Sequence, residues 1–219
     1  MWMEMKKKGN ELRGKAAVAA LEKNGFSAYY APTVQEAKTF ILSHIGDGDV
    51  VGLGGSVSLR ESGLVEDIKQ KGGTVLDHWQ KGLSPVESVE IRRRQFSSDV
   101  FLTSTNAVTM TGELVNVDGS GNRVGAMCFG PKKTIVLAGI NKVTKDVTEG
   151  INRSRQVAAV ANAARLGFDN PCVKAGKCMD CSSPQRICNI TTITHKNPHN
   201  LAGIKGNYIV VIVGEDLGF

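Results

Sequence analysis

Residues 50–63 read VVGLGGSVSLRESG. Val50-Val51-Gly52-Leu53 is a short apolar run suited to a strand buried on both faces, as strands of parallel sheets are. Gly54, Gly55 and Ser56 follow, and then a stretch that reads as helix. A strand passing through glycines into a helix is the β-α unit of a mostly parallel sheet. Its loop lies outside the carboxyl end of the strand, where ligands bind in such sheets. Glycines let the backbone approach a ligand, amides at a helix start can hold an anion, and Ser56 and Ser58 add hydroxyl donors. No Gly-Lys-Ser/Thr follows, so this is not a P-loop, and it is not the G-x-G-x-x-G fingerprint. Gly52, Gly54, Gly55 and Ser56 are therefore candidates for binding an anion or cofactor. The competing reading is a tight turn that needs glycine only for sterics.

The same alternation extends in both directions. Upstream, residues 10–24 place Leu12, Ala16, Ala17, Ala20 and Leu21 on one helix side, with Gly25 as the stop. A strand over Phe26–Tyr30 leads to Thr33-Val-Gln-Glu36, a capping-box pattern opening a helix to about Ile45. Downstream, the helical stretch after the glycine loop ends at Lys71-Gly72-Gly73, and Thr74–Leu76 form a strand. Ser84-Pro85 start a helix with Glu87 and Glu90 near its positive end. Asp99–Thr103 make the next strand. Gly112–Val117 and Asn122–Met127 flank Asp118-Gly-Ser-Gly121, which predicts a β-hairpin. Thr134–Ala138 make a further buried strand. Asp146–Leu166 form a long helix with Val147, Ile151, Val157, Ala161 and Ala164 toward a core. Thr191–Thr194 and Tyr208–Val213 close the chain as strands. The expectation is an α/β fold: a mostly parallel sheet with helices on both faces, a β-hairpin, and one domain over residues 1–219 carrying a cysteine-rich insertion at 171–189 before its last strands.

Composition narrows the classes. A chain of 219 residues with 41% hydrophobic content can bury one α/β core. No apolar run reaches membrane-spanning length, and the lysines near the start precede no apolar segment, so a cytoplasmic protein is expected, without membrane contact. The net charge of +6 suits an anionic small molecule. The basic runs Lys6-Lys7-Lys8 and Arg92-Arg93-Arg94 lack interleaved aromatics and any nucleic-acid motif. They read as a solvated terminus and a solvated helix face, and nucleic acid is not expected as a partner.

Thr103-Ser-Thr-Asn106 ends a strand at the sheet edge that carries the glycine loop. Glu113, Asn116, Asp118 and Asn122 come next and are the polar groups expected to converge on that loop. Glu113 is the candidate base or nucleophile, the alternative being a solvated hairpin residue. The combination GLGGSVSLRESG, then SSDVFLTSTNAVTMTGELVNVDGSGNRVGAMCFGPKKTIVLAGINKV, resembles the lactate-utilisation (LUD) domain family over nearly the whole chain. That family is similar in fold to ribose-5-phosphate isomerase, glucosamine-6-phosphate deaminase and the CoA transferases. The resemblance implies one cleft lined by the glycine loop and the central segment, and a role in oxidising lactate to pyruvate alongside iron–sulfur partner subunits. Gly52, Gly54, Gly55 and Ser56 match its loop. Thr105, Asn106, Gly112, Glu113, Asn116, Asp118, Gly119, Gly121, Asn122 and Arg123 match its central motif. Phosphate- or CoA-handling chemistry with structural zinc, or a non-catalytic subunit or sensor, are the alternatives.

Four of the five cysteines lie in CVKAGKCMDCSSPQRIC, residues 172–188. Cys178 and Cys181 can grip one metal from a tight turn, and Cys172 and Cys188 can complete four thiolates. Such a set suits tetrahedral zinc or a [4Fe–4S] cluster, and the family's redox setting favours iron–sulfur. The spacing is neither that of a zinc ribbon nor that of a bacterial ferredoxin. Lys174, Lys177 and Arg186 would offset thiolate charge. His195 and His199 read as surface residues, and Cys128 as a small core residue.

Overall fold

The structure, a computed structural model, describes residues 1–199 and 207–219. In chain order the elements begin α1 (Trp2–Lys23), β1 (Ser27–Ala31), α2 (Val34–Leu42), β2 (Val50–Leu53), α3 (Val57–Glu61), α4 (Leu64–Gln70), β3 (Thr74–Leu76) and α5 (Pro85–Gln95). They continue with β4 (Val100–Thr103), β5 (Ala107–Thr109), β6 (Leu114–Asp118), α6 (Asn122–Cys128), β7 (Lys133–Gly139) and β8 (Val143–Thr144). Next come α7 (Val147–Arg153), a π-helical stretch Ser154–Ala159, α8 (Val160–Arg165), α9 (Pro171–Ala175), β9 (Ile190–Thr194) and β10 (Tyr208–Val213).

Six strands pair in the order β1-β10-β7-β4-β2-β3, every neighbour parallel. Alternate side chains leave opposite faces. Ile135 and Leu137 join one core with Ala37, Ile41, Leu59, Leu64 and Ile68 from α2, α3 and α4. Val136 and Ala138 join the other with Ala17 and Leu21 of α1 and Ala126 and Met127 of α6. A second sheet, β8-β5-β6-β9, lies on that second side, where Val108 and Leu114 enter the same core. α7 packs on β5, β6 and β8. No helix among the described residues is long and apolar enough to cross a membrane.

The α/β class, the parallel sheet and its helix layers agree with the expectation; several details do not. α1 starts at Trp2 rather than near Asn10. Its added turns are lysine- and methionine-rich, good helix formers with no buried face to mark them. The helix expected after the glycine loop is split by Gly63, at φ +70°. The expected hairpin strand 122–127 is α6. Gly121 takes φ +82° and the Asp118 carboxylate accepts from the Val124 amide at 3.1 Å, so Asp-Gly-Ser-Gly starts a helix instead of a return strand. The antiparallel partners of β6 are β5 and β9. Within the long helix, Gly150 of α7 and Ser154 and Ala158 of the π-helical stretch face inward, whereas Val157 and Ala164 are exposed rather than directed to the core.

Candidate functional site

A cavity of about 260 Å³ opens at the carboxyl ends of β2, β4 and β7, walled by the glycine loop, Ser104-Thr105-Asn106 and the turn after β7. The glycines there answer first to packing. A Cβ on Gly52 would stand 2.9 Å from Ser98 Oγ, one on Gly54 2.5 Å from Thr103 Oγ1, and one on Gly55 2.8 Å from Trp79 Nε1. Gly55 and Ser56 line the cavity, and the Ser56 hydroxyl caps α3 by accepting from the Leu59 amide at 3.3 Å. Gly52 and Gly54 lie in or next to the strand and do not line it.

The floor carries a residue that the sequence pattern does not mark as functional. Lys142 ends a 3₁₀ turn after β7, is 3% exposed, and lines the cavity. Its Nζ donates to Ser58 Oγ at 2.7 Å and Ser104 Oγ at 3.0 Å, and both serines are buried. Burial, with the charges of Arg153 and Arg123, lowers its pKa to about 7, against a smaller raising effect of Glu61. The available signal was a lone lysine directly after a buried apolar strand, where an ammonium is costly.

Arg123 organises the central segment. Its Nη1 donates to Ser104 O at 3.0 Å and Asn116 Oδ1 at 2.5 Å; its Nη2 donates to Asn106 Oδ1 at 3.0 Å and Val117 O at 2.8 Å. The amide oxygens of Asn106 and Asn116 are therefore committed to the scaffold, as is Asp118, which holds α6 and lies 3.8 Å from Arg123 Nε. Thr105 donates to Ala107 O and Val115 O. Thr105, Asn106, Asp118 and Asn122 line the cavity; Asn116 stands behind them. Glu113 does not converge on the glycine loop. It sits in the β5–β6 turn, bonded by the hydroxyls of Thr109 and Thr111. Burial pushes its carboxyl up, but those hydroxyls outweigh it and leave it below the ordinary range.

The rim is cationic and aromatic. Arg92 is half-buried against the cavity, so this member of the basic run is not a solvated helix-face residue. Arg165 stacks on the Trp79 ring at 4.6 Å. Trp79 is held from below by Asp77, whose carboxylate accepts from its amide at 2.9 Å and from Arg60 at 2.6 Å. His78 beside it is lowered to about 4 by burial and by Arg92, which keeps it uncharged near pH 7.

The cysteine segment lies against the α7 side. Gln156 accepts from the Cys178 amide at 2.9 Å, and Arg186 donates to the carbonyls of Cys181 and Cys188. Burial raises the Cys172 thiol, with smaller raising effects of Cys181, Cys178 and Cys188. In kind, four soft donors beside an arginine suit zinc or iron–sulfur. In position they do not yet form a site: among the described residues no group of three or more His, Cys, Asp or Glu is disposed to hold a metal. Cys128 is exposed at the end of α6 rather than buried in the core. His195 is exposed, whereas His199 is half-buried, edge-on to Tyr208 at 5.2 Å.

A family model described as the LUD domain matches residues 14–213. A solved structure of a DUF162 family protein from Deinococcus radiodurans is similar in fold, with a TM-score of 0.50 and 16% identity, covering 94% of this chain and 97% of that one. At that identity the likeness concerns the fold alone. No curated protein matches the chain.

Proposed function

The chain belongs to the LUD domain family, and from that premise we propose that its cleft binds a small organic-acid anion of the lactate and pyruvate class, as one component of a lactate-oxidising system. The observation that carries this is the charge arrangement. Arg92, Arg123, Lys142 and Arg165 line the cavity, while Asp118, the acidic side chain among the described lining residues, is already engaged with Arg123 and α6. A carboxylate entering from the rim meets the guanidinium groups of Arg92 and Arg165, and its hydroxyl- or oxo-bearing carbon reaches toward the floor of Lys142, Ser58 and Ser104. Bidentate arginine recognition suits a planar carboxylate. The Arg123 network keeps the wall rigid, which limits the ordering cost of binding.

We extend the proposal to the cysteine segment. Cys172, Cys178, Cys181 and Cys188 are the residues that would hold an iron–sulfur cluster or zinc once brought together, and a cluster there would supply one-electron chemistry. A cytoplasmic setting suits the five free thiols.

Calorimetry with L-lactate, pyruvate and uncharged lactamide tests the cleft. The acids are expected to bind, lactamide not, and replacing Arg92 and Arg165 together by Met is expected to cost at least about tenfold in affinity. Equal binding of lactamide would refute the anion reading. Tighter binding of a sugar phosphate than of either acid would move the site to phosphate-handling chemistry. Metal content and visible absorption of anaerobically purified protein test the cysteines; the absence of both iron and zinc would refute that part.

A further inference from the structure

Lys142 is placed as few lysines are. It is buried, it lines the cavity, and its Nζ has only hydroxyl partners, Ser58 and Ser104. None of the ion pairs among the described residues includes it. A buried lysine that serves only the fold is ordinarily matched by a carboxylate. Here the charged groups that influence it are Arg153 and Arg123, which oppose its proton, and Glu61, which favours it more weakly.

We propose that Lys142 is a carbonyl-capturing amine that forms a Schiff base with a small 2-oxo acid held in the cleft. This rests on the reading of the cleft as an organic-acid site. Three features support the capture itself. Desolvation beside other cations produces the neutral, nucleophilic form of a lysine near neutral pH. The two serine hydroxyls fix the amine, and Ser104 Oγ lies 3.4 Å from Ser58 Oγ, giving a hydroxyl pair that can accept and return protons. Arg92 and Arg165 line the same cavity as Lys142, so an acid whose carboxylate they bound would present its adjacent carbonyl carbon to the amine as an intramolecular partner.

In the step, the Nζ lone pair forms a C–N bond to C2, and the C=O π pair moves to oxygen, which takes up a proton. Nitrogen releases a proton to the serine pair, giving a neutral carbinolamine. The hydroxyl then takes a proton from the serine pair and leaves as water while the nitrogen lone pair forms the C=N bond. The resulting iminium returns its remaining N–H proton to that pair. The balance is amine plus ketone to imine plus one water, with no change of oxidation state.

The test uses the full chain with pyruvate and a borohydride reductant at neutral pH, followed by digestion and peptide mass mapping. The expected product is an N-(1-carboxyethyl) group on Lys142, at roughly tenfold or more over any exposed lysine. Labelling of Lys142 is expected to rise through about pH 7 and then level off, whereas exposed lysines keep rising toward their ordinary range. Lys142→Met supplies the background, but the wild-type map decides the matter whether or not that variant folds. No preference for Lys142 overturns the proposal. Pyruvate bound in calorimetry with no adduct overturns the capture and leaves the cleft reading standing. Labelling of Lys142 by uncharged propanal but not by pyruvate, with no pyruvate binding, overturns both.

Discussion

Replacing Lys142 by Met should make the protein more stable in mild acid and less stable in strong base. The ordinary lysine value is 10.5, and in the folded chain Lys142 lies near 7. Below pH 7 both the folded and unfolded states carry the proton, and the folded state bears the full cost of a buried ammonium. At about 1.4 kcal/mol for each pH unit separating the two values, that cost is about 5 kcal/mol. Between about 7 and 10.5 the unfolded chain holds a proton that the folded chain does not, so wild-type stability rises with pH and the cost disappears. Methionine fills a similar volume without the charge, but it leaves Ser58 and Ser104 without their donor, at about 1 kcal/mol each. The variant is therefore expected to be about 3 kcal/mol more stable at pH 6, nearly equal at pH 9, and about 2 kcal/mol less stable above pH 10.5. Urea unfolding of both proteins, followed by far-UV circular dichroism at each pH, measures the gap, and other titrating groups cancel in the difference. A gap that does not change between pH 6 and 9, or a variant less stable at pH 6, would refute the reasoning. A residue kept at such a cost is a mark of function rather than of stability.

Arg123→Met removes a hydrogen bond from each of four acceptors and a buried guanidinium beside Asp118, and should lower unfolding free energy by about 3–5 kcal/mol, read as a fall in the urea midpoint; a loss below about 1 kcal/mol would show the network to be idle. Gly112 sits at φ +88° and faces the Ala20 carbonyl oxygen, so Gly112→Ala should lower Tm by roughly 3–10 °C in calorimetry. Glu113→Gln should leave pyruvate affinity within roughly twofold at pH 7, because Glu113 stands outside the cleft. Its effect should be on stability: the depressed carboxyl contributes above its unfolded value, and that contribution is lost as pH falls through the folded value, so wild type and variant should converge in acid unfolding.

The parallel strands were legible because apolar residues fill both faces of short runs of three to seven positions, and their ends are punctuated by glycine, Thr33 and Ser84-Pro85. The central segment was legible as a cluster but not as a shape. Alternation across Asp118-Gly-Ser-Gly121 looks the same for a hairpin and for a strand that enters a helix. Only the left-handed Gly121 and the Asp118 cap on α6 separate the two. Glu113 was misplaced for the same reason: four residues after Thr109 in sequence is, across a tight antiparallel turn, the far end of the strand from the cleft.

Local composition was enough to settle the β-α alternation, the parallel sheet and the position of the glycine loop at a strand end, since periodicity and turn chemistry act over a few residues. Which polar groups face one another was decided by three strand ends arriving from distant parts of the chain. Ser58, Ser104 and Lys142 are ordinary apart and become a buried hydroxyl-bound amine only together. Burial and neighbouring charge set the chemistry of an ionisable group, and both are properties of the packed molecule.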